Sequence, residues 1–308
     1  MSNRELFVKT LFENIHHHLI STEQMQSAYS ENEVRNIAYI LTEYITGASR
    51  TDIIVNKQIK ISDEKLTEMD NAIRRIINHE PIQYITGEAH FYGRKFLVNA
   101  EVLIPRRETE ELVHLIISEN QERNMKILDI GTGSGCIAVT LKKEMEGAKV
   151  SAIDISETAL QVAATNAHLH HASVSFHRAD VLAEDFFIKN KQNELYHFDM
   201  IVSNPPYVRD SETGSMNKNV VEFEPRLALF VTDKDPLVYY KAIVSLSQKH
   251  ADADMCLLKK GGGIFFEVNE NLAEEVATLL EENNFKKVSI TKDLQQKNRF
   301  VSGRLNAA

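Results

Sequence analysis

No apolar run in the 308 residues approaches the ~20 needed to cross a bilayer, so no membrane-spanning helix is expected. The opening MSNRELFVKTLFENIHHH also lacks the basic-then-apolar layout of a secretory leader. Cysteine is scarce. Cys136 and Cys256 stand far apart in no ligand-like spacing, which disfavours a disulfide framework or a zinc module and fits a reducing cytoplasm. Cations are in deficit: 35 Lys and Arg against 44 Asp and Glu leave a net charge of −9. Direct nucleic-acid binding is disfavoured, because that affinity rests on neutralising phosphates. What remains is 43% hydrophobic and 26% charged, an ordinary globular balance whose length suits about two domains.

Residues 1–80 hold one glycine, Gly47, and no proline. Their apolar positions follow a helical period: Val34, Ile37, Ala38, Leu41, Tyr44 and Ile45 share one face, and Leu66, Met69, Ile73, Ile76 and Ile77 another. Ser62 and Asp63 suit a helix start, and Pro81 is expected to end the last helix. The segment reads as a bundle of about four or five helices. His16, His17 and His18 point in different directions on a helix and do not converge on a metal; His168, His170 and His171 are read as solvated.

Residues 81–107 change texture. Aromatic and β-branched residues alternate around Gly87 and Gly93, predicting a β-hairpin or extended connector. Helix resumes after Pro105, with Glu108, Glu110 and Glu111 in its first turn, where the dipole favours anions. From residue 125 strands alternate with helices. Strands are predicted at Lys126–Ile130, Val150–Asp154, Val174–Asp180 and Phe198–Ser203, and at Ile264–Val268 after a turn Gly261–Gly263. Helices are predicted at Ser134–Glu144 and Glu157–His171. The pattern implies an α/β fold with a doubly wound, largely parallel sheet over 108–308.

The segment ILDIGTGSGCIAV puts Asp129 at a strand end and Gly131, Gly133 and Gly135 in the next turn. Glycine lets the backbone approach a ligand, and ligands sit at the carboxyl ends of such strands. The dinucleotide fingerprint needs glycine where Cys136 stands, and the Gly-Lys-Ser/Thr of a phosphate loop is absent. Asp154 ends the second strand, suited to both hydroxyls of a ribose. Asp180 ends the third, suited to an adenine amino group. An adenosine site with no phosphate contact points to S-adenosylmethionine (SAM), with S-adenosylhomocysteine as product and no metal.

The fourth strand runs into Asn204-Pro205-Pro206-Tyr207. Each proline fixes its own φ and restricts the residue before it, so the bend is stiff. The Asn204 amide oxygen and the Pro205 carbonyl are two acceptors at fixed separation, matched to the two hydrogens of a planar NH2 group. Tyr207 adds an aromatic wall. The polar stretch 208–235 is of a length often found in lids, and its Glu224 and Arg226 are candidates to contact the target.

With the Gly-rich turn and NPPY on one chain, the sequence resembles the class I SAM-dependent amino-methyltransferases. PIQYITG, FYGRKFLV, VLIPR with ETEELV, FEPRLAL and DLQQKNRFVSGR resemble, more narrowly, the PrmC/HemK glutamine methyltransferases of peptide-chain release factors. The resemblance implies a Rossmann-like SAM domain behind a small helical domain. It implies methyl transfer to the side-chain nitrogen of the glutamine in a Gly-Gly-Gln loop. By it, Gly131, Thr132, Gly133, Ser134, Gly135 and Asp154 bind SAM, with Asp129, Asp180, Val181 and Asn204 beside it. Asn204, Pro205, Pro206 and Tyr207 hold the glutamine, Asn204, Pro205 and Tyr207 taking part in catalysis. The resemblance also implies a cytoplasmic enzyme whose helical front end docks the factor. Arg107 stands where the family has a second proline, a change expected to loosen the connector and bring charge near the site. Val181 stands where some relatives carry an adenine-stacking aromatic. The alternatives are a ribosomal-protein glutamine methyltransferase, an adenine N6-methyltransferase acting on DNA or RNA, and a non-catalytic SAM-binding adaptor; the intact NPPY bend weighs against the last.

Overall fold

The computed structural model describes residues 3–120, 122, 124–189, 195–248 and 256–307. The chain divides into two compact units, Met1–Glu88 with Met216–Phe223, and Ala89–Ser215 with Glu224–Ala308.

The first unit carries β1 (Asn3–Phe7), α1 (Val8–Ile20), α2 (Glu23–Ala28), α3 (Glu31–Thr46), α4 (Arg50–Ile54), β2 (Gln58–Ser62), α5 (Asp63–Ile77) and α6 (Ile82–Thr86). Serine caps explain several starts. Ser30 and Glu33 form a reciprocal capping box on α3, Ser49 and Asp52 another on α4, and Ser62 accepts from the backbone of Lys65 on α5. The periodic apolar faces meet in one core around Val8, Phe12, Leu41, Ile45, Ile73 and Ile76. Two features differ from the sequence expectation. β1 and β2 pair antiparallel, from Asn3 opposite Ser62 to Phe7 opposite Gln58. Such short ribbons lack turn punctuation in the sequence because their strands are far apart in the chain. Pro81 does not end a helix: α5 stops at Ile77, and Pro81 caps the start of α6, a position that needs no N–H from it.

The second unit opens with a hairpin, β3 (Glu88–Phe91) and β4 (Arg94–Leu97), and α7 (Arg107–Glu119). There follow β5 (Lys126–Ile130), α8 (Cys136–Glu144), β6 (Lys149–Asp154), α9 (Glu157–Leu169), β7 (Val174–Arg178), α10 (Phe186–Lys189) and β8 (Phe198–Ser203). The stretch expected to be a long polar loop is instead short ordered pieces. These are β9 (Val208–Arg209), a 3-10 turn (Asp210–Ser215), α11 (Lys218–Phe223), which belongs to the first unit, α12 (Arg226–Leu229) and β10 (Phe230–Val231), which pairs parallel with β9. The chain closes with α13 (Val238–Ser247), β11 (Leu258–Glu267), α14 (Ala273–Glu282), β12 (Phe285–Lys292) and β13 (Asn298–Leu305).

Among the described residues the large sheet has seven strands in the order β12-β13-β11-β8-β5-β6-β7. β11, β8, β5, β6 and β7 run parallel, and β13 lies antiparallel between β11 and β12. Alternate side chains serve opposite faces: Ile127, Met200 and Phe265 enter one core, Leu128, Ile201 and Phe266 the other. This is the doubly wound sheet that the sequence implied. The three glycines placed before the last parallel strand lie inside it. Gly261 has φ +78°, and pairing slips between Leu258 and Gly263, a bulge that only small residues accommodate here: a Cβ on Gly262 would stand 2.8 Å from the Leu258 side chain. The chain leaves β5 toward β6 and returns as β8 on the other side of β5, so the carboxyl ends of β5 and β8 flank a topological switch point.

One amide ties the hairpin to this switch point. Asn166 on α9 is fully buried; its oxygen accepts from Leu97 N at 2.7 Å, and its nitrogen donates to Leu97 O and Ser134 O, both at 2.9 Å. Asn166→Leu leaves three polar groups without this partner and is expected to lower the unfolding free energy of this unit by about 2–4 kcal/mol. The check is a lower urea midpoint with an unchanged slope.

Candidate active site

The turn after β5 is built by hydrogen bonds that leave two glycines open. Gly131 N and Thr132 N both donate to Ile153 O, at 2.9 and 3.1 Å. Thr132 Oγ1 donates to Asp129 Oδ2 at 2.6 Å, and Gly135 N to Thr132 O at 2.8 Å. Gly131, Gly133 and Gly135 have φ of +73°, +53° and +79°, a region costly for other residues. A Cβ on Gly131 or Gly133 would meet open space, whereas one on Gly135 would stand 3.0 Å from Ala163 of α9. The first two glycines therefore serve the turn's shape and its open face, the third the packing of α8 on α9. Asp129 is wholly buried beneath the turn, and burial pushes its carboxyl up to about 7.

The acid ending β6 is braced on both oxygens. Asp154 Oδ2 accepts from Gly133 N and Oδ1 from Ser156 N, each at 2.9 Å, and burial raises its carboxyl above the usual aspartate range. Beside it opens a cavity of about 460 Å³ at the carboxyl edge of the sheet. Of the residues predicted for this site, Gly131, Gly133, Asp154, Asp180, Val181, Asn204, Pro205 and Pro206 line it. Asp129, Thr132, Ser134 and Gly135 do not; they hold the turn from behind. Tyr207 does not line it either, so the aromatic wall expected of it is not presented to this cavity. The lining includes Leu227 of the FEPRLAL segment and two residues that sequence reasoning missed, Leu103 and Tyr239. Tyr239 on α13 lies near enough to Asp180 and Asp154 that their charges, after burial, help raise its phenol. It supplies an aromatic face where Val181 cannot, and nothing in the sequence of α13 marks it out.

The cavity's chemistry fits SAM, the cofactor read from the sequence. Two open glycines admit close approach. Asp154 ends β6 and Asp180 lies two residues past the end of β7, which stops short of the strand predicted to reach Asp180, and Ile130, Ile153 and Leu103 supply an apolar wall. No basic side chain lines it to demand a phosphate. Among the described residues no group of three or more His, Cys, Asp or Glu side chains is disposed to hold a metal ion.

Behind the bend after β8 lies a polar chain that the sequence did not disclose. Asn204 Nδ2 donates to Thr109 Oγ1 at 3.3 Å, and Thr109 Oγ1 donates to Glu267 Oε2 at 2.7 Å. Tyr207 Oη donates to Glu267 Oε1 at 3.1 Å, and Tyr240 Oη to the Glu267 carbonyl at 3.0 Å. Thr109 and Glu267 are 3% and 1% exposed. Burial raises the Glu267 carboxyl, while the Thr109 and Tyr207 hydroxyls and the Arg299 guanidinium oppose that rise. The available signal was a glutamate set within the apolar strand Ile264-Phe265-Phe266-Glu267-Val268.

Two expectations for the flanking segments are corrected. Glu224 does not face the cavity: it is 4% exposed, accepting from Ile104 N at 3.2 Å and pairing with Arg106 Nη2 at 2.5 Å. Arg226 pairs with Asp210 at 3.1 Å and lies over the Phe230 ring. Arg107 does not line the cavity. It opens α7, and Glu224 holds the residues before it.

Comparison with known proteins agrees with this geometry. A family profile described as Methyltransferase small domain matches residues 109–224, and one described as PrmC N-terminal domain matches residues 21–87. The chain is 40% identical over 284 residues to a release factor glutamine methyltransferase of Flavobacterium psychrophilum, covering 91% of this chain and 94% of the relative. It is 42% identical over 280 residues to one of Bacteroides thetaiotaomicron, covering 91% and 96%. One of Lactococcus lactis is 40% identical over 244 residues, covering 79% and 84%.

Two outcomes follow from the turn and its acid. Gly131→Ala carries mainly left-handed strain of about 1–2 kcal/mol, whereas Gly135→Ala adds a contact on Ala163 costing about 1–3 kcal/mol more. Denaturant unfolding of both variants checks the difference. SAM affinity falls as pH drops through the raised range of Asp154, since a protonated acid loses acceptor strength. Titration calorimetry from pH 5 to 8 reads this, and Asp154→Asn flattens the dependence.

Proposed function

Because the chain belongs to the family of release factor glutamine methyltransferases, we propose that Asn204 and Pro205 hold the glutamine side chain of a release factor for methylation on its amide nitrogen. The protein is a SAM-dependent protein-glutamine methyltransferase. SAM supplies a methyl already activated by the positive sulfur, so the demand on the protein is placement more than acid or base catalysis. A carboxamide nitrogen is a weak nucleophile because its lone pair is delocalised into the carbonyl. Two oxygen acceptors on its hydrogens fix the plane of the group and stabilise positive charge that develops on nitrogen. Alignment of this kind supplies about 7–11 kcal/mol in well-oriented reactions.

The observation that carries the assignment is that Asn204, Pro205 and Pro206 line the same cavity as Gly131, Gly133 and Asp154. The Asn204 nitrogen is engaged by Thr109, which leaves its oxygen as the free end of the amide. Tyr207 braces the bend through Glu267. The excess proton on the methylated amide leaves to water or a nearby carbonyl, and no general base is assigned. The helical unit, which no step of this chemistry needs, is assigned to holding the folded factor in the cytoplasm. The charge of −9 favours a protein target over DNA or RNA.

Incubation with labelled SAM tests the reading, using a purified release factor, its Gln→Ala loop variant and a DNA control. Label is expected on the intact factor alone; label on DNA, or equally on the variant, contradicts it. Asn204→Ala is expected to lower the chemical rate by about 10²–10³-fold, with a much smaller change in SAM binding.

A further inference from the structure

Resting on the reading above, we infer that Thr109, relaying from Glu267, is a positioning residue that sets which end of the Asn204 amide faces the substrate and so selects a carboxamide over a carboxylate. Hydrogen-bond polarity sets this orientation. Which way an amide faces is set by what its neighbours can give and take. Glu267 accepts at both carboxylate oxygens, from Thr109 at 2.7 Å and from Tyr207 at 3.1 Å. A threonine hydroxyl has one proton. Once that proton is given to Glu267, Thr109 Oγ1 has only lone pairs left for Asn204, and only the NH2 end of Asn204 can satisfy them at 3.3 Å. The oxygen end is then turned the other way.

This polarity has a consequence for recognition. An outward Asn204 oxygen, beside the Pro205 carbonyl, makes a pair of acceptors. A glutamine presents two N–H donors to such a pair; a glutamate presents lone pairs and a negative charge and is repelled. With the Asn204 amide reversed, its N–H would welcome a carboxylate and leave the reacting nitrogen without its second acceptor. The buried carboxylate, which never touches substrate, therefore writes the selectivity through one hydroxyl. Arg299 belongs to the same arrangement: its charge opposes the rise of Glu267 on burial, and it is itself held by Asp293 at 3.2 Å.

The test compares wild type, Thr109→Val and Thr109→Ser. Methyl transfer to a purified release factor is measured. So is the affinity for that factor and for the same factor with its loop Gln→Glu, in the presence of S-adenosylhomocysteine. Wild type is expected to prefer the glutamine form by roughly 10²-fold or more, as sites built around a specific hydrogen bond do. Thr109→Val is expected to narrow that ratio by roughly 3–10-fold, the size of one lost oriented hydrogen bond. SAM binding should stay near wild type, which also reports an intact fold, and Thr109→Ser should restore the ratio. An unchanged ratio in Thr109→Val, or a loss not recovered by Thr109→Ser, overturns the inference. Wild type that transfers no methyl to either factor overturns the proposed function itself, a separate result.

Discussion

The buried carboxylate of Glu267 is the group that the active region is organised around. A charge withdrawn from water costs several kcal/mol unless it is hydrogen-bonded and compensated. Here the cost is offset by Thr109 from α7, Tyr207 from the bend after β8, and the charge of Arg299 from β13. Those residues lie far apart in the chain, and the sheet brings them together. Phe266 pairs with Ser203 across β11 and β8, so the residues that follow, Glu267 and Asn204, emerge side by side at the carboxyl edge. On the other flank Ser203 pairs with Ile130, and its hydroxyl donates to the Ile130 carbonyl at 2.7 Å, setting the bend beside the Gly-rich turn. Strand order alone thus places the Asn204 bend between the Gly-rich turn and the buried acid.

Other motifs take their meaning from the same economy of charge. Glu224 of FEPRLAL is spent on Arg106 and the Ile104 N–H of the IPRR segment, fixing the residues that lead into α7 and hence Thr109. Asp293 of DLQQKNR receives Lys297 N at 2.9 Å, shaping the turn into β13, and also receives Arg299 Nε. Residues that look like surface charges in a linear reading are struts that hold the first ring of the site.

Much of this was legible beforehand, for identifiable reasons. The strand-helix alternation, the Gly-rich turn and NPPY are local patterns, and local patterns are written contiguously. Asp154 was singled out because it ends a strand, a position that period-two patterning locates; Asp180, expected to end the next, lies two residues past β7. What was not legible depends on partners distant in sequence. β1 and β2 are separated by four helices. Glu267 reads as an anomaly inside an apolar strand until the sheet register is known. Tyr239 looks like any helix residue until α13 is laid against the cavity. Tyr207 was read for its aromatic ring, and its hydroxyl's bond to a buried carboxylate shows only once the register is known. The glycines of β11 suggested a turn and proved to be a bulge, since glycine permits both.

The claim that most needs a direct look is the direction of the hydrogen-bond chain. Neutron diffraction from a deuterium-exchanged crystal locates each exchangeable proton. The account predicts deuterium on Thr109 Oγ1 pointing at Glu267, both deuterons of the Asn204 amide on the atom facing Thr109, and none on Glu267. Deuterium on the Glu267 carboxyl with Thr109 donating to the Asn204 oxygen would contradict it.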